Sequence, residues 1–472
     1  MPMTILALSL DGSMLWQHLP WAIFAFCLGA CVGSFVNVVV HRMPSGMSLL
    51  YPPSRCPTCG GRLRFFRENL PILGWVFLRG RCRMCGTRIS PMYALVELGM
   101  GLMFLGLYVV FFWVSFRNPW WGVVAGQWWD IQTFLLAWPA WICIVFLLAA
   151  LYAMTIIDAR TFTIPIQIPV FITVVAFLLW PIQGLIARIP KWKNPAPWPI
   201  PGLDWTWCAV AFGGLLGVLI GCFFLWSGRL KYSFSDYEDY VQDGQVLGDY
   251  PHARREMWVE LLFLVPVFLG LLVGALVGVS LTDQLPPAWV QSLGGSMLGY
   301  LVGGGMIWAV RILGTFGFGR EAMGMGDVHL LGCIGAVMGW FDPILVFFIA
   351  PFIGLAWTLF SALGRRRREL PYGPHLAVAA VFVLLARPLI ISGWEALLPM
   401  VPMPPRVLMT ELPAPQAWDP ATDRMSTTLD SGAGTGFNGP GHRHAIGELP
   451  MKMGDRPVEG IRLTTVVPYR AS

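Results

Sequence analysis

Apolar residues recur along the chain in long unbroken runs, separated by short segments rich in Arg, Gly and Pro. A run of about 20 such residues crosses a bilayer as a helix, because a helix satisfies its own backbone in hydrocarbon. The pattern predicts spans near 21–40, 92–113, 135–157, 168–187, 207–226, 259–280, 294–313, 328–341, 343–363 and 376–397. The eighth is short and Gly-rich and reads as re-entrant or as merged with the ninth. The fold class is therefore an all-α polytopic membrane protein with about eight to ten transmembrane helices. The first span is too long, and too far from any basic stretch, to be a cleaved signal peptide. From Pro402 onward the pattern changes to Pro, Gly, Ser, Thr and Asp without helical period, which predicts a disordered tail over 401–472.

Composition agrees. Of the 472 residues, 56% are hydrophobic and 12% are charged, against about 25% charged in an ordinary soluble domain. This excludes a soluble globular enzyme and a disordered chain. The 23 Trp and 30 Phe suit membrane interfaces. A net charge of +6 is too small to argue for nucleic acid as a partner. The lipid bilayer is the partner that composition names.

The distribution of Arg says more than its sum. Segment 41–91 holds nine Arg, loop 227–258 adds Arg229, Lys231, Arg254 and Arg255, and turn 364–375 adds Arg365 to Arg368. The alternate loops hold only Arg117 in one, and Arg188, Lys191 and Lys193 in another. With the N-terminus outside, all three basic segments fall in the cytoplasm.

Ten Cys are present, of two kinds. Cys27, Cys31, Cys143, Cys208, Cys222 and Cys333 stand singly in apolar runs and read as small buried hydrophobes. Cys56, Cys59, Cys82 and Cys85 form two C-x-x-C pairs in one Arg-rich polar loop, with Gly60 and Gly86 after each second Cys. Two such knuckles complete a tetrahedral four-sulfur site, which suits a structural Zn²⁺. Redox dithiols are the competing reading. On a cytoplasmic face disulfides do not persist. A closed four-sulfur site leaves no open coordination position, so it folds the loop and takes no part in catalysis.

Two acids stand at span ends. Asp158 lies at the end of the third span and Asp327 at the start of the eighth, and the alternation of spans puts both at one membrane face. Two carboxylates brought close cannot easily both ionise, so one serves as acid and the other as base. Such a pair can activate water against a peptide carbonyl. Gly324 and Gly326 flank the second Asp and permit close backbone approach. Spacing alone leaves other readings open: a solvated helix end, a helix cap, or a proton relay in a transporter.

Four ordered motifs turn these features into a resemblance. They are GSFVNVVVHRMP (Gly33 to Pro44), the four-Cys loop with ENLPILGWVFLRGRC and ISPMYALVE, Asp158 followed by Ile164-Pro165, and EAMGMGD ending at Asp327. The chain resembles the type 4 prepilin peptidases over roughly 20–187 and 294–395. The resemblance implies a G-x-G-D aspartic membrane endopeptidase with Asp158 and Asp327 as its catalytic carboxylates. It implies prepilin or pseudopilin precursors of type IV pili or type II secretion as substrates. The basic leader would be cut at the cytoplasmic face of the inner membrane, typically after Gly. N-methylation of the new N-terminus would follow, with S-adenosylmethionine as donor. No Gly-rich dinucleotide fingerprint marks a pocket for that donor, so methylation rests on the resemblance alone.

The sequence departs from the family in three places. His329 stands where a Lys is usual, and Ile166 stands where a polar residue is common. Segment 188–290 adds a Trp/Pro-rich outer loop, a helix pair and a polar inner loop, so four spans separate the two Asp where the family has two. The inner loop can dock pilus or secretion assembly proteins, or serve as a solvated connector. Asn37, Arg42, Glu97 and Glu321 are candidate substrate-binding residues; Glu97 can alternatively pair with Arg88, and Arg160 with a carboxylate. Two other functions compete. A presenilin-type protease would share the G-x-G-D motif but leave the cysteine loop unexplained. A transporter would show paired halves, which are not visible here.

Overall fold

The structure is a computed structural model. It describes residues 12–56, 58–114, 128–129, 133–186, 203–236, 240, 250–281, 285–363, 371–386, 390, 393 and 396. The predicted tail, Arg117, the basic residues of 188–193 and Arg365 to Arg368 lie outside these described residues.

Among the described residues, ten helices of 14 residues or more follow one another: α1 (Gly12–Arg42), α2 (Met92–Tyr108), α3 (Phe134–Thr161), α4 (Gln167–Ile186), α5 (Trp205–Trp226), α6 (Ala253–Val279), α7 (Ala288–Phe318), α8 (Met325–Met338), α9 (Asp342–Leu363) and α10 (Tyr372–Leu385). A π-helical turn, Val109–Trp113, extends α2. Eight of them are long and apolar enough to cross a membrane, while α8 and α10 have 14 residues each and fall short. No strand occurs among the described residues. Each predicted span overlaps a helix, the part of the last one beyond 386 lying mostly outside the described residues, and the chain is an all-α polytopic membrane protein.

Small residues let the helices pack backbone to backbone, which matters in lipid because apolar side chains gain little by leaving it. A Cβ on Gly213 of α5 would stand 2.1 Å from the carbonyl oxygen of Gly270 in α6, and one on Gly299 of α7 would stand 2.0 Å from that of Gly335 in α8. A Cβ on Gly33 of α1 would likewise stand 2.8 Å from Glu97 Cα of α2, which gives part of the GSFVNV motif a packing reason.

The most deeply buried span is α3, on which Asp158 rides. Pro139 interrupts its first turns, and a buried side chain from α4 repairs the break. Gln183 accepts from Ala140 N–H at 3.3 Å and donates to the Leu136 carbonyl at 2.7 Å. Both groups belong to the turn around Pro139, where the missing proline N–H leaves the helix ladder one donor short.

Candidate functional site

Asp158 occupies the last turn of α3. The helix stops at Phe162, which takes a left-handed conformation (φ 55) while its N–H bonds the Asp158 carbonyl at 2.9 Å. Pro165 then blocks helical continuation, and the short turn carries Ile164 back across the end of α3. Asp158 is buried, and its Oδ2 has no hydrogen-bond partner among the described residues.

Asp327 arrives from the other direction. α7 ends in a left-handed Gly319, and a short loop leads to Gly324, the N-cap of α8. Gly324, rather than Asp327, thus caps the helix, and Asp327 is its third residue. Its half-buried carboxylate faces back towards the Gly324 N–H, at the end where helix N–H groups lack intrahelical partners.

Three elements close around Ile164. A Cβ on Gly326 would stand 2.8 Å from Ile164 Cβ, and one on Gly373, near the start of α10, would stand 3.0 Å from Ile164 Cδ1 and 2.4 Å from Asp158 Oδ2. Asp158 and Asp327 are near enough for the charge of one to act on the other, and Tyr372 and Arg311 also feel Asp327. The two G-x-G-D glycines therefore differ in role. Gly326 is required by its neighbour Ile164, whereas Gly324 serves as cap.

The other expected site residues have local partners. Asn37 donates to the Tyr93 carbonyl at 3.0 Å, joining α1 to α2. Arg42 donates to the carbonyls of Ser48 and Leu49 just after α1. Glu97 forms no ion pair with Arg88; it accepts from Ile72 N–H at 2.6 Å and ties the cysteine module to α2. Arg160 is exposed and makes no ion pair among the described residues. Glu321 pairs with Arg311 and keeps 42% of its side chain exposed. His329 lies 3.4 Å from the Tyr300 hydroxyl.

The four cysteines meet. Cys56 Sγ lies 3.8 Å from Cys85 Sγ, and Cys59 Sγ lies 3.9 Å from Cys82 Sγ. All four sulfurs fall within 4.8 Å of one another. Four thiolates about 2.3 Å from a Zn²⁺ have tetrahedral edges of about 3.8 Å, so the spacing fits. The two knuckles repeat one design. Cys56 N–H bonds the Gly61 carbonyl and Gly60 N–H bonds that of Cys56; Cys82, Thr87 and Gly86 repeat this. Gly60 and Gly86 take φ of 68 and 71, a turn glycine adopts without steric cost. The hydroxyl and N–H of Thr87 push the Cys85 thiol down to about 6. Against the lowering Gly61 N–H, the neighbouring Cys85 pushes Cys59 up to about 11. Crowded thiols of this kind ionise together when a cation sits among them. The cluster can bind a metal.

Sequence reasoning missed two features. Gly373, in the run Pro371-Tyr372-Gly373-Pro374, was hidden because its role is contact with a residue more than 200 positions away. Arg311 was missed despite a usable signal. It and Glu260 are charges inside predicted spans, and charges there are expensive unless paired.

The comparisons match this architecture. Residues 27–111 match the Bacterial Peptidase A24 N-terminal domain, and residues 255–359 match the Type IV leader peptidase family. Two segments of the chain are therefore similar to the two domains of the type IV leader peptidases. Asp327 lies inside the second matched segment and Asp158 in neither. That segment also takes in most of α6, which lies within 188–290, the stretch the sequence marks as added. The chain is 52% identical over 93 residues to a "Prepilin leader peptidase/N-methyltransferase" of Myxococcus xanthus (strain DK1622), covering 20% of this chain and 28% of that one. It is 26% identical over 396 residues to the Aeromonas hydrophila protein of the same name, covering 78% of this chain and 92% of the other. The Dickeya chrysanthemi relative, also so named, is 26% identical over 403 residues, covering 79% and 95%. No solved structure matches.

Proposed function

We propose that this chain is a membrane aspartic endopeptidase that removes the basic leader of type IV prepilins or pseudopilins. The observation that carries the proposal is that Gly373 packs on both Asp158 and Ile164 while Gly326, next to Asp327, packs on the same Ile164, and the charge of Asp158 acts on Asp327. The names of the relatives supply the substrate class.

The chemistry follows from two carboxylates that share one proton. The ionised carboxylate takes a proton from water as the water oxygen bonds the scissile carbonyl carbon. The protonated one gives its proton to the leaving amine as the C–N bond breaks, leaving a free leader carboxylate and a new N-terminus. Asp158 is buried against the Gly373 backbone, and its carboxylate is one of the two groups that would hold and activate such a water.

The Arg-rich loops and the alternation of helices support a multi-pass position in the inner membrane, with the aspartates at the cytoplasmic face. Cys56, Cys59, Cys82 and Cys85 would hold a structural Zn²⁺ that fixes the loop between α1 and α2. Methylation of the new N-terminus, with S-adenosylmethionine giving its methyl group to the amine, rests on the relatives' names.

The test is to mix the purified protein in detergent with a pilin-like precursor and S-adenosylmethionine, and to follow the product by mass spectrometry. Leader loss supports the peptidase, and a further gain of about 14 Da, a methyl replacing a hydrogen, supports the methyltransferase. Cleavage of ordinary membrane helices in preference to pilin-like precursors would favour the presenilin-type activity and overturn this reading.

A further inference from the structure

The most heavily partnered charge in the described structure lies outside the aspartate pair. Arg311 sits on α7 with 2% of its side chain exposed, and Glu260 on α6 with 3%. Arg311 Nη2 pairs with Glu260 Oε1 at 2.9 Å, and Arg311 Nε donates to both Glu260 oxygens at 3.0 and 3.1 Å. Trp308 Nε1 donates to Glu260 Oε2 at 2.8 Å and fixes that carboxylate further. The remaining nitrogen of the fork, Nη1, reaches the loop before Asp327, where it meets the Glu321 carboxylate and the Met323 carbonyl.

That loop has few other anchors. Its Ala322 N–H donates to Thr315 Oγ1 at 3.1 Å, and Gly324 begins α8 without a side-chain cap. Arg311 therefore holds two residues just before the G-x-G-D turn, and its charge reaches Asp327 itself.

The inner loop before α6 closes over the same arginine. The Phe234 ring lies 5.2 Å from the Arg311 guanidinium carbon, within cation–π range. Phe234 is held in turn, because its N–H donates to Glu256 Oε2 at 3.0 Å and its ring meets Tyr250 edge-on. Tyr250 donates to Asp236 Oδ1 at 2.5 Å. Arg254, at the start of α6, donates to the Phe316 carbonyl at 3.0 Å and the Gly317 carbonyl at 3.5 Å, at the end of α7.

We propose that Arg311 is a positioning residue for Asp327, and that the inner loop acts on the candidate site through Phe234 seated on its guanidinium. A planar fork suits the task, since one guanidinium meets a carboxylate on one side and a carboxylate and a carbonyl on the other. A lysine keeps the charge and loses the fork. The proposal rests on the aspartic peptidase reading above.

The test uses the full chain in detergent and a synthetic precursor with a Lys/Arg leader, a Gly and an apolar helix. Arg311→Lys, Phe234→Leu, Phe234→Tyr and Asp327→Asn are compared for kcat, KM, thermal unfolding and amide exchange over 319–327. Displacing Asp327 by a fraction of an ångström predicts that folded Arg311→Lys loses kcat at least about ten-fold with KM nearly unchanged. Exchange over the loop should rise. Phe234→Leu should lower kcat several-fold, and Phe234→Tyr, which keeps the ring, should restore it. If Arg311→Lys does not fold, the Phe234 pair decides: equal kcat for Leu and Tyr overturns the proposal. Wild-type kcat in folded Arg311→Lys, with Asp327→Asn inactive, overturns it and leaves the peptidase reading intact. If Asp327→Asn still cleaves, the peptidase reading fails instead. Loop exchange then decides the positioning role alone, and unchanged exchange overturns it.

Discussion

Gly373 lies directly against the Asp158 carboxylate: a Cβ there would come within 2.4 Å of Oδ2. The contact joins the end of α3 to the start of α10. It requires a residue without a side chain, and Pro371 and Pro374 on either side fix the backbone that presents it. Gly373→Ala should displace Asp158 and leave the rest of the bundle in place. A shift of about 1 Å costs on the order of 100-fold in rate. Cleavage should therefore fall by about two orders of magnitude while thermal unfolding barely moves. Steady-state cleavage of a pilin-like precursor beside a melting curve checks this.

The cysteine module should behave as a metal-dependent unit. The purified chain should carry about one Zn²⁺, and Cys56→Ser or Cys82→Ser should abolish it. Chelation should then lower the unfolding temperature and open 56–88 to trypsin, since the knuckles are joined through their sulfurs. Elemental analysis and limited proteolysis read both outcomes. Full occupancy in Cys82→Ser would contradict the four-sulfur site.

Glu97 should anchor that module to the membrane helices. Its carboxylate accepts from Ile72, a β-branched residue held at φ 62, a conformation such residues rarely adopt. Glu97→Ala removes a charged hydrogen bond worth about 1.5–3 kcal/mol. The expected result is faster tryptic cleavage at Arg79 and Arg81, with the metal retained. Glu97→Gln, which keeps an acceptor, should lie between Glu97→Ala and wild type.

The architecture was legible because hydrocarbon imposes one rule, that backbone groups be satisfied within the segment. Eight of the predicted spans are helices long enough to cross a membrane, the other two overlap shorter helices, and the cysteine knuckles follow from spacing alone. Long-range contact was not legible. The sequence shows Asp158 and Asp327 at span ends but not the Ile164 on which Gly326 and Gly373 both pack. Gly373 reads as an ordinary helix-start glycine until α3 is placed against it. Arg311 illustrates a different limit. Its charge was visible inside an apolar run, but its partners come from α6 and from the loop before α8, and no local pattern links them. Gln183 is similar, a polar residue in a span whose task is set by Pro139 of another helix.

Gln183 yields a stability prediction. Gln183→Leu keeps the volume and leaves Ala140 N–H and the Leu136 carbonyl without their bonds to the Gln183 amide. Unsatisfied buried groups cost about 1–3 kcal/mol each, and measured hydrogen bonds within bundles average about 0.6. Unfolding in detergent should show a loss between about 1 and 4 kcal/mol.

The central claim is that Asp158 and Asp327 together hydrolyse the peptide bond. Single-turnover cleavage of a pilin-like precursor by wild type, Asp158→Asn and Asp327→Asn tests it directly. Precursor binding and melting temperature are measured on the same samples. Each substitution should bind precursor and fold as wild type while cleavage falls by at least about 10⁴-fold, as loss of half of an acid–base pair requires. Cleavage within ten-fold of wild type in either folded variant would contradict the account and move the active site elsewhere.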